Sequence, residues 1–149
     1  MTDFSLEFVF ASGEKHSPKA EPNEWLLRSD ADTVANSLTV RFSVGKRLFT
    51  EEPVGAVLKK DGAGLFDGIV DEHRVKCRNG ARPEVFSLRS RAALLLDNEA
   101  APIELRLPSL RLLERMYLMP LGLHAVGGDR RPVEGVLTVE KGVSCFEAL

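Results

Sequence analysis

Residues 54–98 read VGAVLKKDGAGLFDGIVDEHRVKCRNGARPEVFSLRSRAALLLDN. Three apolar runs are separated by two turn signals, Asp61-Gly62 and Asn79-Gly80, and a leucine-rich segment follows. Both dipeptides tolerate the positive φ angles of tight hairpin turns, because glycine lacks a Cβ and short polar side chains bond their own backbone. The run at 65–77 is long for one strand, which predicts a bend or bulge near Asp71-Glu72. Val85-Phe86-Ser87-Leu88 then returns as a strand, and the Ala/Leu content of 91–96 suits a helical turn or two. The stretch reads as a β-meander capped by a short helix.

Towards the N-terminus, Phe4, Leu6, Phe8 and Phe10 alternate with Ser5, Glu7 and Val9, a period of two that predicts a strand. Residues 12–23 are rich in Ser, Lys, Glu and Pro and read as an exposed loop or hairpin end. Residues 24–29 predict another strand with Trp25 and Leu27 on one face. Trp25 is either an interface contact or an ordinary half-buried aromatic. The cleanest alternation runs over 37–44, where Leu38, Val40, Phe42 and Val44 share one face, so one side is buried and the other wet.

Towards the C-terminus, Pro102 and Pro108 bracket an extended segment at 103–107. Ser109 suits a helix N-cap, and Leu110, Leu113, Met116 and Tyr117 follow at helical spacing as a core-facing stripe. This helix is expected to end before Pro120-Leu121-Gly122. Residues 121–126 and 133–139 predict two further strands around a loop whose Arg130-Arg131 pair is a solvated turn or a contact for an acidic partner. Ser144-Cys145-Phe146-Glu147 fits a capping box. A single helical turn is not stable alone, so a longer relative is expected to continue here, or the last turn docks on a partner.

At least seven strands, one clear helix and one short one make the chain mainly β, of the β-rich α+β class. The hairpin signals favour an antiparallel sheet that curls into a barrel or sandwich.

A length of 149 residues with 44% apolar and 28% charged composition can bury an ordinary globular core, as one domain or as one and a piece of a second. The net charge of −2 provides no general attraction for nucleic acid or anionic lipid. Its distribution is uneven: residues 1–36 carry seven acids against three bases, and residues 73–91 six bases against one acid. Such asymmetry suits an assembly with a charged lumen. MTDFSLEFVF lacks a basic leader and a long apolar core, and no apolar run approaches the ~20 residues needed to cross a bilayer. A soluble protein made in the cytoplasm, without a signal peptide or membrane partner, is expected.

Chemistry is sparse. His16, His73 and His124 show no ligand spacing, and Cys77 and Cys145 are too few and too far apart for a zinc site, so no metal or cofactor is expected. The two cysteines can form one disulfide, but nothing points to secretion. Asp67, Asp71 and Glu72 are the densest carboxylates, and an acid/base pair among them would serve a hydrolase, for instance one acting on cell wall. Carboxylates at a bulge more often bond backbone amides. No nucleophile elbow or phosphate loop occurs, so no catalytic residue is assigned and the chain is not expected to be an enzyme. Arg74, Lys76 and Arg78 share one strand face at period two. That row can touch phosphates, as in a nucleic-acid-binding β-barrel, but no aromatic residues are interleaved for base stacking.

The phrase LFDGIVDE, followed by a strand and then LRSRAALLLDNEA, resembles the hub proteins of phage tail baseplates, the late-control or tail-hub family. The matching residues are Phe66, Gly68, Val70, Asp71 and Glu72, then 89–97, with weaker likeness at 109–113 and 142–149. The resemblance implies a tail-hub-like, tube-like β-barrel over residues 1–100. Residues 101–149 would then be a helix plus β-hairpin segment that begins a second domain. It further implies a homotrimeric ring in the virion, joining the tail tube to the central spike of a phage, prophage or related contractile injection system. Its partners would be copies of itself and the tube and spike proteins, with DNA only passing through the channel. Arg74, Lys76 and Arg78 would line that channel or meet a neighbouring subunit.

Overall fold

The computed structural model describes residues 3–77, 82–128, 131–132 and 134–149. The chain divides into two compact units, Met1–Arg91 and Ala92–Leu149. The division expected from sequence lay at 100/101. The leucine-rich segment falls in the second unit because Leu95 packs with Ala100, Leu113, Tyr117 and Cys145.

The first unit is one seven-stranded antiparallel sheet. Its strands are β1 (Phe4–Val9), β2 (Lys15–His16), β3 (Glu24–Arg28), β4 (Ser37–Val44), β5 (Gly55–Lys60), β6 (Ala63–Val75) and β7 (Arg82–Ser90), in the order β2-β1-β5-β6-β7-β4-β3. The Asp61-Gly62 turn between β5 and β6 has φ of 50° and 81°, the two positive angles of a type I′ hairpin. The second predicted turn, Asn79-Gly80, lies outside the described residues; the strands on either side of it pair antiparallel, with Val75 opposite Glu84. The register between β6 and β7 shifts between Val70 and Glu72, so the extra residue of the long strand is Asp71, where the bulge was expected.

The apolar alternation sets the core. Phe8, Leu38, Val40, Phe42 and Phe86 are fully buried, and burying such a side chain is worth roughly 1.5–3 kcal/mol. The Phe8 ring on β1 lies 6.2 Å from Phe42 on β4 and 4.7 Å from Phe86 on β7. These strands are remote in the ladder, so the sheet curls around its aromatic core. The ladder itself stays open among the described residues, ending at β2 and β3. A closed barrel is therefore not what the hydrogen bonds form. The connection from β2 to β3 contains Pro18 and Pro22, which have no N–H to donate, and β2 is only two residues long.

A 3₁₀ turn (Arg91–Ala93) at the boundary leads into α1 (Leu94–Asp97) of the second unit, where β8 (Ile103–Arg106) pairs antiparallel with β9 (Val136–Val139). Ser109 caps α2 (Leu110–Leu113) by accepting from the Leu112 N–H at 3.2 Å. The helical path continues through Glu114–Leu118 and Met119–Leu121, and Gly122 ends it at φ 71°. Leu113 and Tyr117 of the predicted stripe are buried in this unit's core.

The strand expected at 121–126 is absent. The Leu123 N–H donates to the Leu118 carbonyl and the Ala125 N–H to Glu114 Oε1, so the helix end takes the amides that a ladder would need. The strand expected at 133–139 is confined to β9. Ser144 and Glu147 form the reciprocal capping box, with the Ser144 N–H donating to Glu147 Oε2 and the Glu147 N–H to Ser144 Oγ. No helix among the described residues is long and apolar enough to cross a membrane.

Candidate functional site

The basic row singled out in the sequence is only partly a free surface. Arg74 stands exposed on β6, but both Nε and Nη2 of its guanidinium donate to the Glu72 carboxylate two residues away. This contact raises the Arg74 pKa and lowers that of Glu72, in each case first through the side-chain hydrogen bond. Lys76 lies just past the end of β6 and is exposed, and no salt bridge holds its ammonium among the described residues. Arg78 lies outside the described residues, as does Arg130 of the Arg130-Arg131 pair. The other bases of 73–91 are also engaged: Arg82 with Glu84, Arg89 with Asp71 and Arg91 with Asp67.

The same pairs dispose of the carboxylate group. Asp67 Oδ1 accepts from Arg91 Nε at 3.0 Å, Asp71 Oδ1 accepts from Arg89 Nη2 at 3.1 Å, and Glu72 is taken by Arg74. Each acid is held by its own cation.

The densest polar constellation was not legible in the sequence. Glu84 on β7 is fully buried beside the aromatic core. Its carboxylate faces His73 Nε2 at 3.1 Å and accepts from Arg82 Nε at 3.1 Å and from the Leu48 N–H at 3.4 Å. The other ring nitrogen of His73, Nδ1, lies 2.6 Å from Glu52 Oε2. Glu52 also pairs with Arg47. Hydrogen bonding to His73 is the main cause that lowers the Glu52 pKa below the usual carboxylate value. The imidazole is stacked on Phe86, with centroids 4.1 Å apart and planes 9° from parallel. The pairing of β6 with β7 sets His73 opposite Phe86 and so diagonal to Glu84. Nothing in the sequence brings Glu52 to them.

Two further features mark the open side of the sheet. Phe4 and Trp25 meet at 4.9 Å, joining β1 to β3, yet both stay more than a third exposed. Beneath them lies a cavity of about 320 Å³ whose lining includes Leu6, Pro18, Pro22, Val40 and Leu58. β3 is exposed at four of its five residues and offers one free backbone edge. No buried side-chain nitrogen or oxygen among the described residues lacks a partner, and no cluster of metal-ligating side chains occurs among them. Both cysteines are free thiols; Cys145 is buried, which raises its pKa.

No family model matches this sequence, and no curated protein matches it. Solved structures do. The tail protein from Neisseria meningitidis MC58 superposes with a TM-score of 0.74 at 20% identity, over 99% of this chain and 43% of that one. The 43 kDa tail protein of prophage MuSo2 from Shewanella oneidensis superposes with a TM-score of 0.75 at 15% identity, over 99% of this chain and 46% of that one. The chain thus spans less than half the length of either. It has the fold of the matched part of each of these two tail proteins.

Proposed function

We propose that this chain is a structural part of a phage or prophage tail, in the baseplate hub that joins the tail tube to the central spike. The observation that carries this reading is the superposition on two tail proteins over 99% of the chain. Engagement of the sequence-marked acids by neighbouring arginines supports a geometric rather than a catalytic role.

In this reading residues 1–100 belong to the wall of a tube and residues 101–149 begin the next domain. Three copies form the ring, in a phage, prophage or related contractile injection system. The open ladder at β2 and β3 and the exposed Phe4–Trp25 pair suit a surface completed by a neighbour. Arg74, Lys76 and Arg78 line the channel or meet a neighbouring subunit, and DNA is only a passenger in it.

Negative-stain electron microscopy of the concentrated protein tests the reading. Rings with a central channel are expected. Dispersed particles of single-chain size at every concentration would count against it.

A further inference from the structure

We infer that His73 is a proton-controlled latch holding the 45–53 loop over one end of the curled sheet. Glu52 and Glu84 face its two ring nitrogens, and this arrangement carries the inference.

A neutral imidazole has one N–H donor and one bare nitrogen that only accepts. Here Nδ1 faces a carboxylate at 2.6 Å and Nε2 faces another at 3.1 Å. Only the doubly protonated ring donates to both. With the second proton gone, one nitrogen lone pair is set against a carboxylate oxygen. The ring cannot easily turn away, because it lies flat on Phe86 and its side chain is only 12% exposed.

The latch joins separate parts of the chain. Glu52 belongs to the loop, His73 to β6 and Glu84 to β7. The loop is tied to the same carboxylate a second time, by the Leu48 N–H. Leu48 is buried, and Phe49 packs against Phe8 at 5.0 Å and Phe10 at 5.3 Å, so a loosened loop uncovers the aromatic core. The loop is also one wall of a groove of about 600 Å³, whose opposite side carries Glu14, His16 and Lys19.

The charged groups around the ring decide the sign. From the loop come Glu52 and its partner Arg47; from β7 come Glu84 and its partner Arg82. On its own strand, Glu72 and Arg74 neutralise each other at the surface. With the imidazolium these groups alternate in sign along Arg47, Glu52, His73, Glu84 and Arg82. Without it, two carboxylates face a neutral ring. The loop is held while the ring carries both protons and the two carboxylates are ionised, and it is released as pH rises past loss of the second imidazole proton.

Two measurements test this on the intact protein. In hydrogen–deuterium exchange from about pH 5 to about pH 9, a span that covers the ordinary histidine range, rates are corrected for intrinsic pH dependence. The peptide containing Leu48 and Phe49 should then exchange severalfold faster at the alkaline end, while the β5–β6 hairpin stays constant. His73→Gln, which cannot titrate, should abolish the difference. An unchanged loop in the wild type, or the same profile in His73→Gln, overturns the inference. The ¹⁵N shifts of the His73 ring in the wild type give a readout that does not depend on a variant folding. Loss of the second ring proton in step with faster exchange of the loop peptide supports the latch, and a ring that is singly protonated across the whole span overturns it.

Discussion

The ring of Phe66 lies across Gly68: a Cβ added to that glycine would sit 2.4 Å from Cζ of Phe66 and 2.3 Å from the carbonyl oxygen of Arg89. Two residues of the LFDGIVDE phrase thus explain each other, since the aromatic covers the strand position where no side chain fits. Gly68→Ala is expected to destabilise the protein by about 1–3 kcal/mol through overpacking. Adding Phe66→Ala should not rescue it, because the Arg89 carbonyl remains in the way. Urea denaturation midpoints of the single and double variants check this.

Glu84 is expected to be the most sensitive charged position in the first unit. Removing it leaves Arg82 and His73 without their buried partner, and breaking such a contact costs about 3–5 kcal/mol. Glu72→Gln, which loosens exposed Arg74, should leave the denaturation midpoint close to that of the parent. Comparing chemical denaturation of Glu84→Ala and Glu72→Gln separates the two cases.

Acid should destabilise the fold through identifiable carboxylates. The hydrogen bond from Lys59, 2.9 Å long, is the first cause that lowers the Glu7 pKa below its unfolded value of 4.5, and His73 does the same for Glu52. A depressed folded pKa means stability that is fully present above 4.5 and lost as pH falls through the lower folded value. Glu7→Gln should therefore shallow the loss of thermal stability as pH falls below 4.5. An unchanged slope in that variant would remove Glu7 from the account.

Much of this fold is legible in the sequence because it is local. The Asp61-Gly62 hairpin, the period-two alternation of β4, the Ser109 cap and the Asp71 bulge each follow from neighbours within a few positions. The missing strand at 121–126 shows the limit: its apolar residues suit a strand, but Leu118 and Glu114 capture its amides. Closure of the sheet is a long-range matter too: among the described residues the ladder ends at β2 and β3, which no local spacing announces. Of the basic row, Arg74 is held by Glu72 two residues away on the same strand, a pairing that period-two spacing allows. The His73 latch depends on Glu52, whose approach is set by the tertiary packing of Leu48 and Phe49.

Arg74 should not support nucleic-acid binding while Glu72 holds it. Fluorescence anisotropy with a labelled oligonucleotide is expected to show no salt-dependent binding at about 0.1 M salt, where unpaired surface charges already act only over about 10 Å. A steep salt-dependent isotherm that Arg74→Ala abolishes would reinstate the nucleic-acid reading.

Trp25 should report on assembly. It is exposed beside the free edge of β3, and a buried interfacial tryptophan commonly contributes about 2 kcal/mol or more to association. Its fluorescence is expected to shift to the blue as concentration rises, and Trp25→Ala should weaken self-association while leaving the circular dichroism of the sheet unchanged.

The central claim is that this chain builds a ring, and its solution mass is the most direct test. Light scattering on a sizing column at several concentrations should give, or approach with concentration, three times the 16.4 kDa of one chain. A constant mass of one chain up to the highest concentration would contradict it.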